Sequence, residues 1–195
     1  MRVRVIGLGN VLMRDDAFGP YVVRLIDAFY VMPPDVQVLD VGTPGLDLIP
    51  YVCGTDVLII VDTVRADGEP GDIRVFRTAD ILADGVQPRL GPHDPGVKEA
   101  LLTAAVAGAA PREVLLVGVI PQSVEVGVEL SAAVRSSLAP VVAWVVTELT
   151  ARGAGPMLRS APLEPATWWE QPAADSAPHE FSQHRRIFTW PSTAA

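Results

Sequence analysis

The sequence predicts an α/β fold: a single-domain, three-layer α/β/α sandwich around a mostly parallel, twisted sheet of about five strands. Three observations carry that prediction. Short apolar runs alternate along the chain with longer segments of helical periodicity, the pattern of parallel strands joined by crossover helices. The run DVLIIVDTV (56–64) is unbroken by polar residues from Val57 to Val61, as expected of a central strand covered on both faces. At 195 residues the chain is the length of one domain.

Each element follows from its own pattern. VRVIGLG (3–9) reads as the first strand, and AFGPYVVRLIDAFY (17–30) as a helix with Tyr21, Leu25, Ala28 and Phe29 on one face. Pro20 is accommodated in the first helical turn, where no amide is needed. VQVLDVG (36–42) is the second strand, GLDLIPYV (45–52) a short helix, and DVLIIVDTV the central strand. GDIRVFRT (71–78) alternates apolar and polar positions and is placed at an edge, antiparallel. HDPGVKEALLTAAVAGA (93–109) is a helix, with Asp94 as its N-cap and Pro95 at its first position. EVLLVGVIP (113–121) is a further buried strand. LSAAVRSSLAPVVAWVVTELTAR (130–152) closes the domain as one helix, capped by Ser131 and kinked at Pro140.

Composition narrows the function. There are 15 Lys and Arg against 23 Asp and Glu, a net charge of −8; with no basic stripe to neutralise phosphates, a nucleic-acid partner is not expected. The longest apolar runs fall short of the ~20 residues that cross a bilayer, and no signal-peptide core follows the N-terminus, so membrane insertion is not expected and a cytoplasmic location is. Cys53 is the sole cysteine. A single cysteine excludes an internal disulfide and a Cys-based zinc site, and reads as a buried small hydrophobe. Residues 1–152 form the domain. The segment 153–195 lacks periodicity, is rich in proline and holds Trp168, Trp169 and Trp190; it is expected to be a poorly structured extension.

In an open α/β sheet, ligands bind beyond the carboxyl ends of the strands. The first strand runs out at Gly9-Asn10 and leads to Asp15 and Asp16; the second ends at Asp40; the central strand carries Asp62 at its exit; and His93 opens the helix after the edge hairpin. Carboxylates with one imidazole suit a divalent transition metal, and three ligands leave room for water or substrate. Each residue has a structural reading as well. Asp16 could cap its helix, Asp15 could be a solvated neighbour, Asp40 could anchor the GTPG turn, and His93 could be an exposed turn residue. Asp62 resists such a reading, because it interrupts a buried run where an unpaired carboxylate is costly. A dinucleotide site is a further alternative, since GLGNVL starts like G-x-G-x-x-G and Asp40 stands where a ribose-binding acid would. Against it, Leu12 replaces the third glycine and two acids would repel a pyrophosphate.

Taken together, GLGNVLMRDDAFGP (7–20), VGTPGLDLI (41–49), VLIIVDTV (57–64), the GPHD turn (91–94) and VGVIPQSVEVGVELS (117–131) resemble the hydrogenase maturation protease family over residues 1 to about 150. The resemblance implies an endopeptidase that removes a C-terminal extension from the nickel-loaded precursor of a nickel–iron hydrogenase large subunit. It implies that Asp16, Asp62 and His93 contact nickel carried by the substrate, with Asp40, Gly9 and Asn10 in support. Relatives often carry Glu where Asp16 stands, and a hydroxyl residue before the histidine where this chain has Gly91-Pro92. A non-catalytic maturation chaperone built on the same surface is the alternative. No Ser-His-Asp or Cys-His pattern points to a covalent intermediate.

Overall fold

The computed structural model describes residues 1–83 and 96–170. In chain order the elements are β1 (Val3–Leu8), α1 (Phe18–Phe29), β2 (Tyr30–Val31), β3 (Val36–Gly42), α2 (Ile49–Val52), β4 (Val57–Thr63), β5 (Ile73–Arg77), α3 (Thr78–Leu82), α4 (Val97–Val106), β6 (Glu113–Val119), α5 (Ala132–Ser136), α6 (Leu138–Ala151) and β7 (Met157–Leu158). Five strands form one sheet in the order β3-β1-β4-β6-β5, parallel throughout except that β5 runs antiparallel to β6 at the edge. GDIRVFRT therefore lies at the edge and runs antiparallel, as its alternation predicts, but α3 and α4 intervene before β6, so the expected edge hairpin is not formed.

Alternation along the strands divides the core into two layers. Val3 and Val5 of β1, and Val57, Ile59 and Val61 of β4, pack with α1 and α6 on one face. Ile6, Leu8, Leu58 and Ile60 pack on the other, against Val52 of α2 and Ala100, Leu101 and Ala104 of α4. All the β4 residues are buried, which explains the unbroken apolar run, each such side chain contributing roughly 1.5–3 kcal/mol on burial. The chain leaves β1 toward β3 on one side and returns to β4 on the other. The carboxyl ends of β1 and β4 thus flank the topological switch point, where α/β folds open a crevice. Gly19 lets α1 lie directly over these ends: a Cβ there would sit 2.2 Å from the Leu8 carbonyl oxygen and 2.5 Å from that of Val61.

The closing helix differs from expectation. It is two helices, α5 and α6, broken at Ser137, whose hydroxyl donates to the Gly71 carbonyl oxygen at 2.6 Å. Pro140 falls in the first turn of α6, where its missing amide costs nothing, so the break comes earlier than the proline. Ser131 does cap α5, its hydroxyl accepting from the Val134 amide. Ala132–Ala151 together have the length and mean hydropathy (1.3) of a membrane span, and Val134, Leu138, Val141, Val142, Val145 and Leu149 from it are buried in the domain core.

Residues 153–170, read from composition as the start of an unstructured extension, pack on the domain. β7 pairs antiparallel with β2. Trp169 is 5% exposed and meets the Tyr21 ring edge-on at 5.1 Å. The Tyr21 hydroxyl donates to Glu170 Oε1 at 2.6 Å, and Arg135 donates to the same oxygen at 3.0 Å. Burial first, then the Glu170 carboxylate, push the Tyr21 phenol above its ordinary range. An apolar anchor and a neutralised charge supply what the segment's composition alone does not. Residues 171–195, Trp190 among them, lie outside the described residues.

Candidate active site

Beyond Leu8 the chain has to turn sharply. Gly9 takes φ +141°, and a Cβ on it would lie 1.7 Å from the Asp16 carbonyl oxygen, so only glycine fits. The loop then returns through a 3-10 turn, Arg14–Ala17, that carries both acids. Arg14 sits at φ +45°, a left-handed conformation of a kind that costs a non-glycine residue about 1 kcal/mol or more. Two backbone bonds to the loop 122–131 hold it: Arg14 N–H donates to the Gly127 carbonyl at 2.8 Å, and Gly127 N–H to that of Leu12 at 2.9 Å.

The turn aims its two carboxylates in different directions. Asp16 is half-buried in the crevice, its Oδ2 accepting from the Asn10 amide at 2.8 Å and its Oδ1 from the Thr63 hydroxyl at 3.1 Å. Asp62 is fully buried at the end of β4, its Oδ1 accepting from the Thr63 amide at 2.8 Å. Thr63 therefore touches both acids, one through its side chain and one through its backbone. Asp15 points the other way. It is fully buried, and it accepts from the Gln122 and Ser123 amides on Oδ2 at 2.8 and 3.0 Å, and from the Ser131 amide on Oδ1 at 2.6 Å. The expectation of a solvated neighbour is corrected. Asp15 gathers both ends of the loop 122–131 around one buried charge, a stable arrangement because every oxygen has charge-assisted donors.

A model of the HycI family, described as hydrogenase maturation protease, matches residues 20–148. The chain belongs to the hydrogenase maturation protease family. It is 32% identical over 162 residues to the hydrogenase 2 maturation protease of Escherichia coli K12, covering 83% of this chain and 98% of that one. It is 36% identical over 152 residues to the hydrogenase expression/formation protein HupM of Azotobacter chroococcum, covering 77% and 73%. Among solved structures it resembles the E. coli hydrogenase maturating endopeptidase HybD, with a TM-score of 0.75 at 31% identity over 82% of this chain and 99% of that one. HybD of Thermococcus kodakarensis gives 0.58 at 26% identity, over 79% and 99%. The fold, the five-stranded sheet and protease membership stand together on these findings.

Within this maturation protease the remaining expectations sort by geometry. Asp16 does not cap α1: its carboxylate reaches back to Asn10 and across to Thr63, and the N-cap position is Ala17, without a side-chain bond. Asp40 anchors the glycine turn, as weighed from sequence, accepting from the Gly42 amide at 3.3 Å while pairing with Arg24 at 3.0 Å. The amides a pyrophosphate would need are already taken. Gly9 N–H donates to the Gly42 carbonyl at 3.0 Å and Asn10 N–H to Asp16, which argues against the dinucleotide reading. Cys53, half-buried against the core rather than fully buried as expected, caps α2, four residues before β4 begins and so at the opposite end of the sheet from the crevice. His93, with the cap assigned to Asp94, lies outside the described residues. Among the described residues no group of three or more His, Cys, Asp and Glu is placed to hold a metal; Asp16 and Asp62 each accept a hydrogen bond from Thr63.

Thr63 escaped the sequence reading, and Asp15 reads there only as a solvated neighbour. Thr63 follows the anomalous acid of the central strand directly, which was the available signal. Around Asp16 the maturation protease exposes apolar side chains on two adjoining loops: Leu12 at 51%, Val126 at 82% and Val128 at 37%.

Proposed function

We propose that this chain is the endopeptidase that removes the C-terminal extension from the nickel-loaded precursor of a nickel–iron hydrogenase large subunit, acting in the cytoplasm. The observation that carries the reading is the meeting of Asp16 and Asp62 on Thr63 at the switch-point crevice of a hydrogenase maturation protease. In this reading nickel arrives with the substrate. Asp16 has donors on both oxygens, Asn10 N–H and Thr63 Oγ–H, yet a carboxylate offers about four lone-pair sites, so it is oriented and still able to bind a cation from the crevice side. Carboxylates and imidazole are donors that a divalent transition metal accepts; His93 is assigned the third contact by the family resemblance. The nickel then acts as a recognition element that brings the scissile bond to the acids. Water attacks the peptide carbonyl, activated by the metal ion or by a carboxylate acting as general base.

The test is the mass of a large-subunit precursor incubated with this protein, with and without nickel loaded, beside Asp16→Ala, Asp62→Ala and His93→Ala variants. Loss of a C-terminal peptide from the nickel-loaded precursor alone, abolished in all three variants, is the expected result. A precursor that binds and stays uncut would replace the protease reading with a chaperone.

A further inference from the structure

We propose that Thr63 is a positioning residue of this site, fixing Asp16 relative to Asp62 through its hydroxyl; the inference rests on the proposed assignment of those two acids. The two carboxylates reach the crevice from different parts of the chain. Asp62 ends a strand of the sheet, whereas Asp16 comes from a loop closed by backbone bonds to a second loop. Within its own loop the Asp16 carboxylate is held on one oxygen, by the Asn10 amide, and that bond does not tie it to β4. Thr63 supplies that link. Its backbone amide donates to Asp62 Oδ1 at 2.8 Å and its hydroxyl to Asp16 Oδ1 at 3.1 Å.

Three features make the link rigid. Thr63 is 1% exposed, so water does not compete for its hydroxyl. Its backbone is fixed by parallel pairing with β6, where Thr63 lies opposite Val119. Its β-branched side chain has few rotamers open to it in a strand. A hydroxyl has one proton, and here that proton goes to Asp16. The second Asp16 oxygen is held by Asn10 N–H at 2.8 Å, so the carboxylate plane is defined by one bond from the β1 end and one from the β4 end. A ligand pair shared by one cation needs such a fixed separation, because misplacement by about 1 Å in a reacting site can cost roughly a hundredfold in rate.

The experiment measures single-turnover cleavage of a nickel-loaded large-subunit precursor at saturating enzyme, with precursor affinity measured separately. Thr63→Val keeps the volume and β-branching and removes only the hydroxyl. It is expected to slow cleavage roughly 10- to 100-fold, the range carried by a hydrogen bond to a charged group, with precursor affinity close to that of the unsubstituted protein and Tm lowered by no more than several degrees. Thr63→Ser should restore most of the rate. In an Asp16→Asn background, which is itself slow, adding Thr63→Val should cost little more, because the hydroxyl acts through that carboxylate. Should the valine variant lose the fold, the same cycle is run with Thr63→Ala. Cleavage by Thr63→Val at the unsubstituted rate, a serine variant as slow as valine, or a full additional loss in the Asp16→Asn background would each overturn the proposal. The underlying site assignment fails separately, and takes this inference with it, if Asp16→Asn and Asp62→Asn cut at the unsubstituted rate.

Discussion

Replacing Asp15 by Asn removes one charge and turns one acceptor oxygen into a donor while leaving the side chain's shape almost unchanged. In the structure that side chain receives three backbone N–H groups, from Gln122, Ser123 and Ser131, at 2.6 to 3.0 Å. An asparagine can turn its oxygen to the Gln122 and Ser123 amides, but its NH2 then faces the Ser131 N–H donor to donor. One charge-assisted bond, worth about 1.5–3 kcal/mol, is lost outright and two become neutral. Relief from burying a charge offsets part of this. The net loss is about 2–4 kcal/mol, a large fraction of the roughly 5–15 kcal/mol that keeps a domain folded. At this chain length it corresponds to a fall in Tm of roughly 5–15 °C. Urea unfolding followed by circular dichroism gives the measurement, read as a shift in midpoint at constant m. Asp16→Asn is the paired control. Asp16 is half-buried, and an asparagine there can still accept from the Asn10 amide on its oxygen while its NH2 donates to the Thr63 hydroxyl, so its variant should lie within about 1 kcal/mol of the unsubstituted protein. If Asp15→Asn unfolds within about 0.5 kcal/mol of the unsubstituted protein, or if Asp16→Asn costs as much, the division of the acid pair into one structural and one site residue is wrong.

Four further outcomes follow from the geometry. Gly9→Ala places a Cβ against the Asp16 carbonyl oxygen at a backbone angle alanine avoids; it should destabilise by several kcal/mol, roughly 3 or more, seen as loss of the cooperative unfolding transition at 37 °C. Trp169→Ala removes the anchor of residues 153–170 and should cost about 3 kcal/mol, with new proteolytic cuts in that segment under native conditions. Because burial and Glu170 raise the Tyr21 phenol above its usual value, the folded protein keeps a proton that the unfolded chain releases above about pH 10. Its contribution is whole below that pH and is lost as pH rises further, so urea midpoints should decline on the alkaline side, and Tyr21→Phe should flatten the decline to the part left by buried Tyr30. On the proposed reading, Leu12, Val126 and Val128, exposed on the two bonded loops beside the acid-bearing turn, offer an apolar surface to the precursor, and Val126→Asp should leave Tm unchanged and raise the KM for it.

How far the sequence could be read follows from the range over which each residue is explained. The central strands β4 and β6 were legible because burial on both faces writes itself into five or more consecutive residues, as at Val57–Val61. Asp62 was legible for the same reason: a carboxylate inside such a run is anomalous where it stands. Asp15 and Asp16 look alike in the sequence, and the 3-10 turn separates them. With three residues per turn, neighbours point about 120° apart, so one acid faces the crevice and the other the interior. What marks Asp15 as structural is a set of amides more than a hundred residues later. The break between α5 and α6 depends likewise on a bond from Ser137 to Gly71, and the order of residues 153–170 on Tyr21. None of these is a local pattern. One question can nonetheless be put to a sequence in advance. A loop such as PQSVEVGVELS, between a buried strand and a helix, has backbone donors that must be satisfied once they leave water, and a chain that buries them needs an acceptor from elsewhere. Of the two adjacent acids in the first loop, one has no task in the crevice, and an unsolicited carboxylate in one loop with unanswered amides in another is an argument for contact that requires no structure to state.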